Sequence, residues 1–232
     1  MSGVAAGAEP GLTWRTLEPV DLDAVYALHR QAIGEAVRPE VVKPETRDFF
    51  AGILGGRGRM EGVFSAGTLV AYGVLQTVLP AYDDPRSLID AAPDAPIAKL
   101  AGASVAIAFR GRGLQRALIA ARVGLLYRTH ILFATSAPAN QPSWVNLLAE
   151  GFSIRALVPY YGGHLRYVMV RDGTSIAPRT ERLIAAGDVE QQIACLAAGW
   201  RGVAARPTSD GMRIGYVFGG DDERFGSGPG GP

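Results

Sequence analysis

The chain has 232 residues, 48% of them hydrophobic and 19% charged, a balance that excludes a disordered chain and describes a globular protein with one sizeable core. A formal net charge of +1 supplies no long-range field for a phosphate backbone, so nucleic acid is not an expected partner. The single cysteine, Cys195, excludes an internal disulfide and a closed cysteine-built zinc site, and no metal is expected.

Residues 1–11 lack the basic and apolar stretches of a secretion signal, and no apolar run approaches the roughly 20 residues that span a bilayer. The expectation is a cytoplasmic protein without a membrane partner. In chain order, 14–17 reads as a short strand, and Asp21 as the cap of a helix that carries Leu22, Val25, Tyr26 and Ile33 at helical spacing. His29 continues that stripe and reads first as a structural histidine, with a site-facing role as the alternative. A second helix is predicted over 46–54, stopped by Gly55, Gly56 and Gly58. Two antiparallel strands, 60–65 and 68–78, follow as a hairpin turned at Ala66-Gly67. Residues 80–96, rich in proline and aspartate, form a long irregular insertion with one helical turn near Leu88.

A strand over 97–109 leads into the turn 110–113, after which Leu114, Ala117, Leu118, Ala121 and Leu125 recur at helical spacing. Residues 131–135 read as a strand, 140–150 as a short helix, and Gly151-Phe152 opens a strand that ends near Val158. A glycine turn at 160–163 precedes the strand 165–170. Beyond it a helix is predicted over 181–198, weakened at Gly187, then a strand over 212–218 and a glycine-rich tail over 219–232. Cys195, in an Ala-Leu-Ala context, reads as a packing residue rather than a nucleophile.

The chemistry concentrates in Arg110-Gly111-Arg112-Gly113-Leu114-Gln115-Arg116. A strand-to-helix turn exposes backbone amides and a positive dipole end to an anion, its glycines let a diphosphate approach the backbone, and its arginines add charge-assisted hydrogen bonds. The run is neither a Walker loop, since no Lys-Ser or Lys-Thr follows, nor a Rossmann fingerprint, since Arg116 occupies the third-glycine position. A basic helix start without a ligand is the bland alternative.

These residues resemble the GNAT superfamily of acyl-CoA-dependent N-acyltransferases, whose signature at such a junction reads Gln/Arg-x-x-Gly-x-Gly/Ala. Arg110, Gly113 and Gln115 match it in position, with Gln115 where the family has a small residue. Val105-Ala106-Ile107 before the turn, and Asn140 followed by Gly151-Phe152, extend the resemblance over about residues 14–172. It implies an α/β (α+β) fold whose mixed, V-splayed central sheet is flanked by helices. The domain would span 13–172, with a flexible segment 1–12 before it, a C-terminal extension over 173–218 and a disordered tail over 219–232. It implies acetyl-CoA as the acyl-donor cosubstrate. The pantetheine arm would pair with the backbone of Val105, Ala106 and Ile107, the diphosphate would sit on Arg110, Gly111, Arg112, Gly113, Leu114, Gln115 and Arg116, and Asn140 would approach the cofactor or merely cap its helix.

The acceptor decides how much acid–base chemistry is needed. A lysine-like amine of pKa ~10.4 is almost wholly protonated at neutral pH and needs a base, whereas an α-amine of pKa ~7.7–8.0 is partly neutral already. The tyrosine that many relatives carry seven residues after the asparagine is Leu147 here, which makes Tyr161 the candidate proton donor, with aromatic packing of Tyr160 and Tyr161 as the alternative. The strand before the turn has no glutamate and offers only Lys99 and Ser104. Glu35, Asp83, Asp84, His29 and His164 are the remaining candidate bases. The functional expectation is an N-acetyltransferase acting on a primary amine of a small molecule, protein or peptide. A catalytically silent acyl-CoA-binding regulatory domain is the alternative, and an aminoacyl-tRNA-acetylating toxin a minor branch. Acyl-CoA and an amine acceptor are the expected partners, and a homodimer is left open.

Overall fold

The computed structural model describes residues 11–34, 38–126, 130–173 and 180–218. Glu35, the tail 219–232 and all of the segment 1–12 except its last two residues lie outside the described residues. Ten strands form one sheet: β1 (Leu12–Thr16), β2 (Gly58–Ser65), β3 (Thr68–Gln76), β4 (Ile97–Val105), β5 (Ile131–Ser136), β6 (Ser153–Tyr160), β7 (His164–Arg171), β8 (Glu181–Ala185), β9 (Trp200–Thr208) and β10 (Gly211–Phe218). Their order across the sheet is β1-β2-β3-β4-β5-β7-β6-β9-β10-β8. Helices α1 (Leu22–Ile33), α2 (Arg47–Gly52), α3 (Arg86–Ile89), α4 (Leu114–Leu126), α5 (Gln141–Ala149) and α6 (Val189–Ala197) cover the two faces. No described helix is long and apolar enough to cross a membrane.

Local chemistry accounts for most of these elements. Val25 and Leu28 bury one stripe of α1, and Gly34 ends it at φ +73°. Asp21 precedes α1 but does not cap it; its carboxylate accepts two bonds from Arg15 at 2.7 Å and one from the Glu18 amide at 2.9 Å. Thr46 is the true cap of α2, accepting from the Phe49 amide at 3.2 Å. Ala66 and Gly67, both at positive φ, make the hairpin turn between β2 and β3.

Side-chain alternation sorts the core by face. Tyr72 and Val74 point toward α1 and α2, where Phe50 and Met60 pack. Leu75, Ala98, Leu100, Tyr167 and Met169 point the other way, onto Trp144, Leu147 and Leu148 of α5. Full burial of each such side chain contributes about 1.5–3 kcal/mol.

The predicted single helix over 181–198 is instead strand, turn and helix. Leu183 and Ile184 pair with Gly215 and Ile214 of β10, and the break comes at Gly187, leaving α6 to start on the Asp188 cap, which accepts from the Gln191 amide. Strand β9 was not expected, because Gly202, Ala204, Ala205 and Pro207 give it almost no periodic apolar signal. The three added strands join the sheet where Ile154 meets Gly202. Ile184, Cys195, Ile214 and Tyr216 share the core of Trp144 and Tyr167. Fully buried Gln192 fastens this junction: its Oε1 accepts from Tyr167 at 2.8 Å and Tyr216 at 2.9 Å, while its Nε2 donates to the carbonyls of Ala185 and Ala186.

The centre of the sheet is split. Pairing between β4 and β5, which is parallel, is confined to Ile97–Lys99 against Ile131–Phe133, and past those residues the strands diverge. The predicted strand over 97–109 accordingly ends at Val105, and Ile107–Phe109 form a short 3-10 turn. On its other side β4 carries a bulge: Gly73 faces Ala103 but Leu75 faces Leu100, so one extra β4 residue is accommodated, with Gly102 at φ +125°. Arg122 of α4, wholly buried, holds this bulge by donating to the Val74 carbonyl at 2.9 Å and the Gly102 carbonyl at 3.0 Å.

Two stability outcomes follow from these contacts. Gln192→Leu removes the partner of two buried phenols and of the Ala186 carbonyl and is expected to cost about 2–4 kcal/mol in urea denaturation. A Cβ on Gly73 would lie 2.7 Å from Arg122 Nε. Gly73→Ala is therefore expected to destabilise by about 1–3 kcal/mol in the same assay, as an overpacked core does.

Candidate functional site

The divergence of β4 from β5 leaves β4 backbone without a strand partner. Ala106 N–H donates to the Val70 carbonyl at 2.8 Å and Ser104 registers with Tyr72, so the alternate residues, Ala103 and Val105, turn their backbone groups to the open side. Beyond the 3-10 turn, Gly111 at φ +78° and Gly113 at φ +75° bring the chain into α4, whose first intrahelical bond runs from Ala117 N–H to Gly113 O at 3.0 Å. The amides of Leu114, Gln115 and Arg116 have no intrahelical acceptor.

A cleft of ≈ 640 Å³ runs along this edge. Val105, Arg110, Gly111, Gly113, Leu114, Gln115 and Asn140, all singled out from sequence as candidate cofactor-binding residues, line it together with Ala103, Ser104 and Pro142. Ala106, Ile107, Arg112 and Arg116 do not line it. Ala106 has spent its amide on β3, Arg112 stacks on the Phe109 ring at 4.8 Å, and Arg116 is ion-paired with Glu150. Arg110 donates to the carbonyls of Val105 at 3.2 Å and Ala32 at 3.0 Å, tying the turn to the end of α1. Asn140 sits at the start of α5 without a side-chain capping bond, so its amide is not consumed by the helix. Gln115 Oε1 accepts from Asn146 at 3.0 Å and joins α4 to α5.

A second cavity, of ≈ 150 Å³, shares Val41, Val42, Ala103, Ser104, Gln115 and Asn140 with the first and continues through the split to the opposite face of the sheet. Its walls mix apolar side chains, among them Phe50, Val74 and Leu100, with charged and polar ones. Lys99 of β4 makes a 2.5 Å ion pair with Asp83 of the 80–96 insertion, both side chains being 5% exposed. Tyr161, held at φ +46° in the turn between β6 and β7, donates to Asp83 at 3.1 Å, bonds Lys99 and lies 3.2 Å from Thr135 Oγ1. Burial lowers the pKa of Lys99 against the opposing pull of Asp83; burial and Asp83 together raise that of Tyr161, which stays a protonated phenol. Lys43 and Glu45 pair at 2.9 Å on the loop before α2, and burial raises the Glu45 pKa despite Lys43.

His29 is a structural anchor in this wall. Its Nε2 accepts from the Glu45 amide at 3.0 Å, which places the proton on Nδ1, and Nδ1 donates to Tyr72 OH at 3.1 Å. Burial lowers its pKa, which favours that neutral form. Tyr72 OH is in turn hydrogen-bonded to Ser104 Oγ at 3.1 Å, so the network reaches the point where the two cavities meet.

Of the other candidate bases, Asp84 is paired with Arg86, and His164 lines neither cavity. Leu147, where a proton donor was sought, is buried against α5's own core. Glu45 and Arg166 line the second cavity and were not singled out from sequence. Glu45 is preceded by Pro44 at a helix entrance, a context that signals a cap and hides a site carboxylate.

No protein-family model matches this chain, and no curated protein sequence matches it significantly. Solved structures do. The ribosomal-protein-S18-alanine N-acetyltransferase of Escherichia coli matches 73% of this chain and 98% of its own, with a TM-score of 0.50 and 20% identity. NAA60 of Arabidopsis thaliana, in complex with a bisubstrate analogue, matches 70% of this chain and 99% of its own, with a TM-score of 0.55 and 19% identity. A GNAT superfamily phosphinothricin acetyltransferase from Sinorhizobium meliloti, in complex with AcCoA, matches 73% of this chain and 95% of its own, with a TM-score of 0.52 and 15% identity. The strand split, the turn before α4 and these likenesses agree: the chain is built on the GNAT fold.

Proposed function

We propose that this chain is an N-acetyltransferase that moves the acetyl group of acetyl-CoA to a primary amine of a small molecule, a protein or a peptide. The observation that carries the reading is the continuous passage from the Arg110–Arg116 turn, through the gap between β4 and β5, into a polar pocket on the opposite face. A thioester donor and an amine acceptor can enter from opposite sides and meet beside Ala103, Ser104 and Asn140. The fold neighbours, among them a phosphinothricin acetyltransferase solved in complex with AcCoA, support the same cofactor.

In this reading the diphosphate rests on the amides of residues 113–116 with Arg110 at its rim, and the pantetheine arm extends beta pairing to Ala103 and Val105. Asn140 points its uncommitted amide at the arm. The acceptor nitrogen bonds to the thioester carbon, the carbon–sulfur bond breaks, and the proton lost by nitrogen passes to the Glu45 carboxylate. Tyr161, whose proton is replenished across its bond with Lys99, protonates the thiolate. The split strand contributes by orientation, since holding two reactants in one passage removes the entropic cost of their encounter.

The buried Leu147 favours the second reading, a silent acyl-CoA-binding domain. CoA release over a panel of amines separates the two: turnover with any amine excludes the silent domain, and binding of acetyl-CoA without turnover excludes the enzyme.

Replacing Arg110 by alanine is expected to weaken acetyl-CoA binding by about tenfold or more in calorimetry, because a charge-assisted phosphate contact is worth ~1.5–3 kcal/mol. The pH profile tests the base. Glu45 must be ionised to accept a proton, and its pKa is raised, so kcat/KM is expected to rise with pH through an inflection above the ordinary carboxylate range. Glu45→Gln is expected to remove that inflection and lower kcat by about 10²–10⁴.

A further inference from the structure

We infer that the acceptor amine carries a carboxylate, bound by Arg166 in the polar pocket; the identification of that pocket as the acceptor site rests on the acetyltransferase reading. Arg166 lies on β7, opposite Val158 of β6, and is 3% exposed. Alternation along β7 puts it on the face of Val168 and Val170, which pack on Ile97 and Phe133. This is the face that carries Lys99 and Thr135, away from α4 and α5.

The charges of the pocket do not balance. Lys43 is matched by Glu45 and Lys99 by Asp83. Arg166 donates only to neutral carbonyls: its Nη1 to Glu40 O at 3.0 Å and Leu165 O at 2.9 Å, its Nη2 to Pro39 O. Among the described residues no carboxylate lies within ion-pair distance of it, and the Glu40 side chain acts on it only from the surface. Its Nε makes no hydrogen bond among the described residues. A buried cation without a counter-ion is costly, and an anionic group entering the cavity removes that cost.

The same charge serves the chemistry. A cation in the pocket disfavours the ammonium form of an entering amine, so it shifts the acceptor toward the neutral nucleophile. With the carboxylate on Arg166 at one face, the amine of a compact acceptor such as an amino acid points through the split toward Ser104 and Asn140, and ≈ 150 Å³ of cavity suits a molecule of that size.

The test compares amino acids with their amides and with the decarboxylated amines, both in acetyl transfer and in calorimetric binding to the CoA-loaded protein. The acids are expected to bind at least about tenfold more tightly, the scale of one charge-assisted contact, with the difference in KM and Kd rather than kcat. Arg166→Gln is expected to abolish the preference, bringing acids and amides to the same Kd and KM, and Arg166→Lys to keep part of it. Equal use of acids and amides by the unmodified protein overturns the inference and leaves acetyl transfer standing. Acid-selective binding with no transfer to any amine sustains the anion site and overturns the acetyltransferase reading instead.

Discussion

Everything functional in this molecule depends on β4 and β5 pairing for three residues and then parting. A strand that loses its neighbour exposes backbone donors and acceptors, which is costly unless something else bonds them. Here the exposed groups of Ala103 and Val105 face a cleft instead of a strand. The departure is built in from behind, because Arg122 reaches through the space left by Gly73 and grips the carbonyl of Gly102 at the bulge. A buried guanidinium bonded only to carbonyls is an expensive way to shape a strand, and it fixes β4 in one arrangement.

The split joins two surfaces of different chemistry. On the α4 and α5 side, glycines and a helix start offer backbone amides, a surface suited to a phosphate-bearing group of fixed geometry. On the other side, the loop before α2, the 80–96 insertion and the turn at 160–163 bring Glu45, Asp83 and Tyr161 against Lys99. The backbone amides of the first surface come from one continuous segment, the side chains of the second from parts far apart in the chain. A fold can keep the first constant and vary the second, which is how one scaffold comes to serve different acceptors.

That division explains what could be read in advance. The turn 110–113 and the hairpin turn at 66–67 are local patterns that appeared where their residues predicted, and the strand before the first turn began as predicted but stopped four residues early, at Val105. Even there the side chains needed the tertiary structure: Arg116 is claimed by Glu150 and Ala106 by Val70, contacts that no spacing announces. Tyr161 was singled out only as the nearest tyrosine after the missing donor, and its bonds to Asp83 and Lys99 join residues 78 and 62 positions apart. Glu45 and Arg166 have no local motif at all. The C-terminal region misled for a related reason: Leu183 and Ile184 fit a helical stripe, and only pairing with β10 makes them a strand. Gln192, an unremarkable polar residue in sequence, becomes the fastening of three strands and a helix once both tyrosines converge on it.

In the proposed complex the gap between β4 and β5 receives an acyl-CoA by extending the hydrogen bonding of β4. Amide hydrogen exchange with and without acetyl-CoA tests it at the residues concerned. The account predicts slowed exchange at Ala103 and Val105 and at residues 113–116, with little change at Ser104 and Ala106, which already face β3. Protection absent from these amides, or confined to the C-terminal strands, would contradict it.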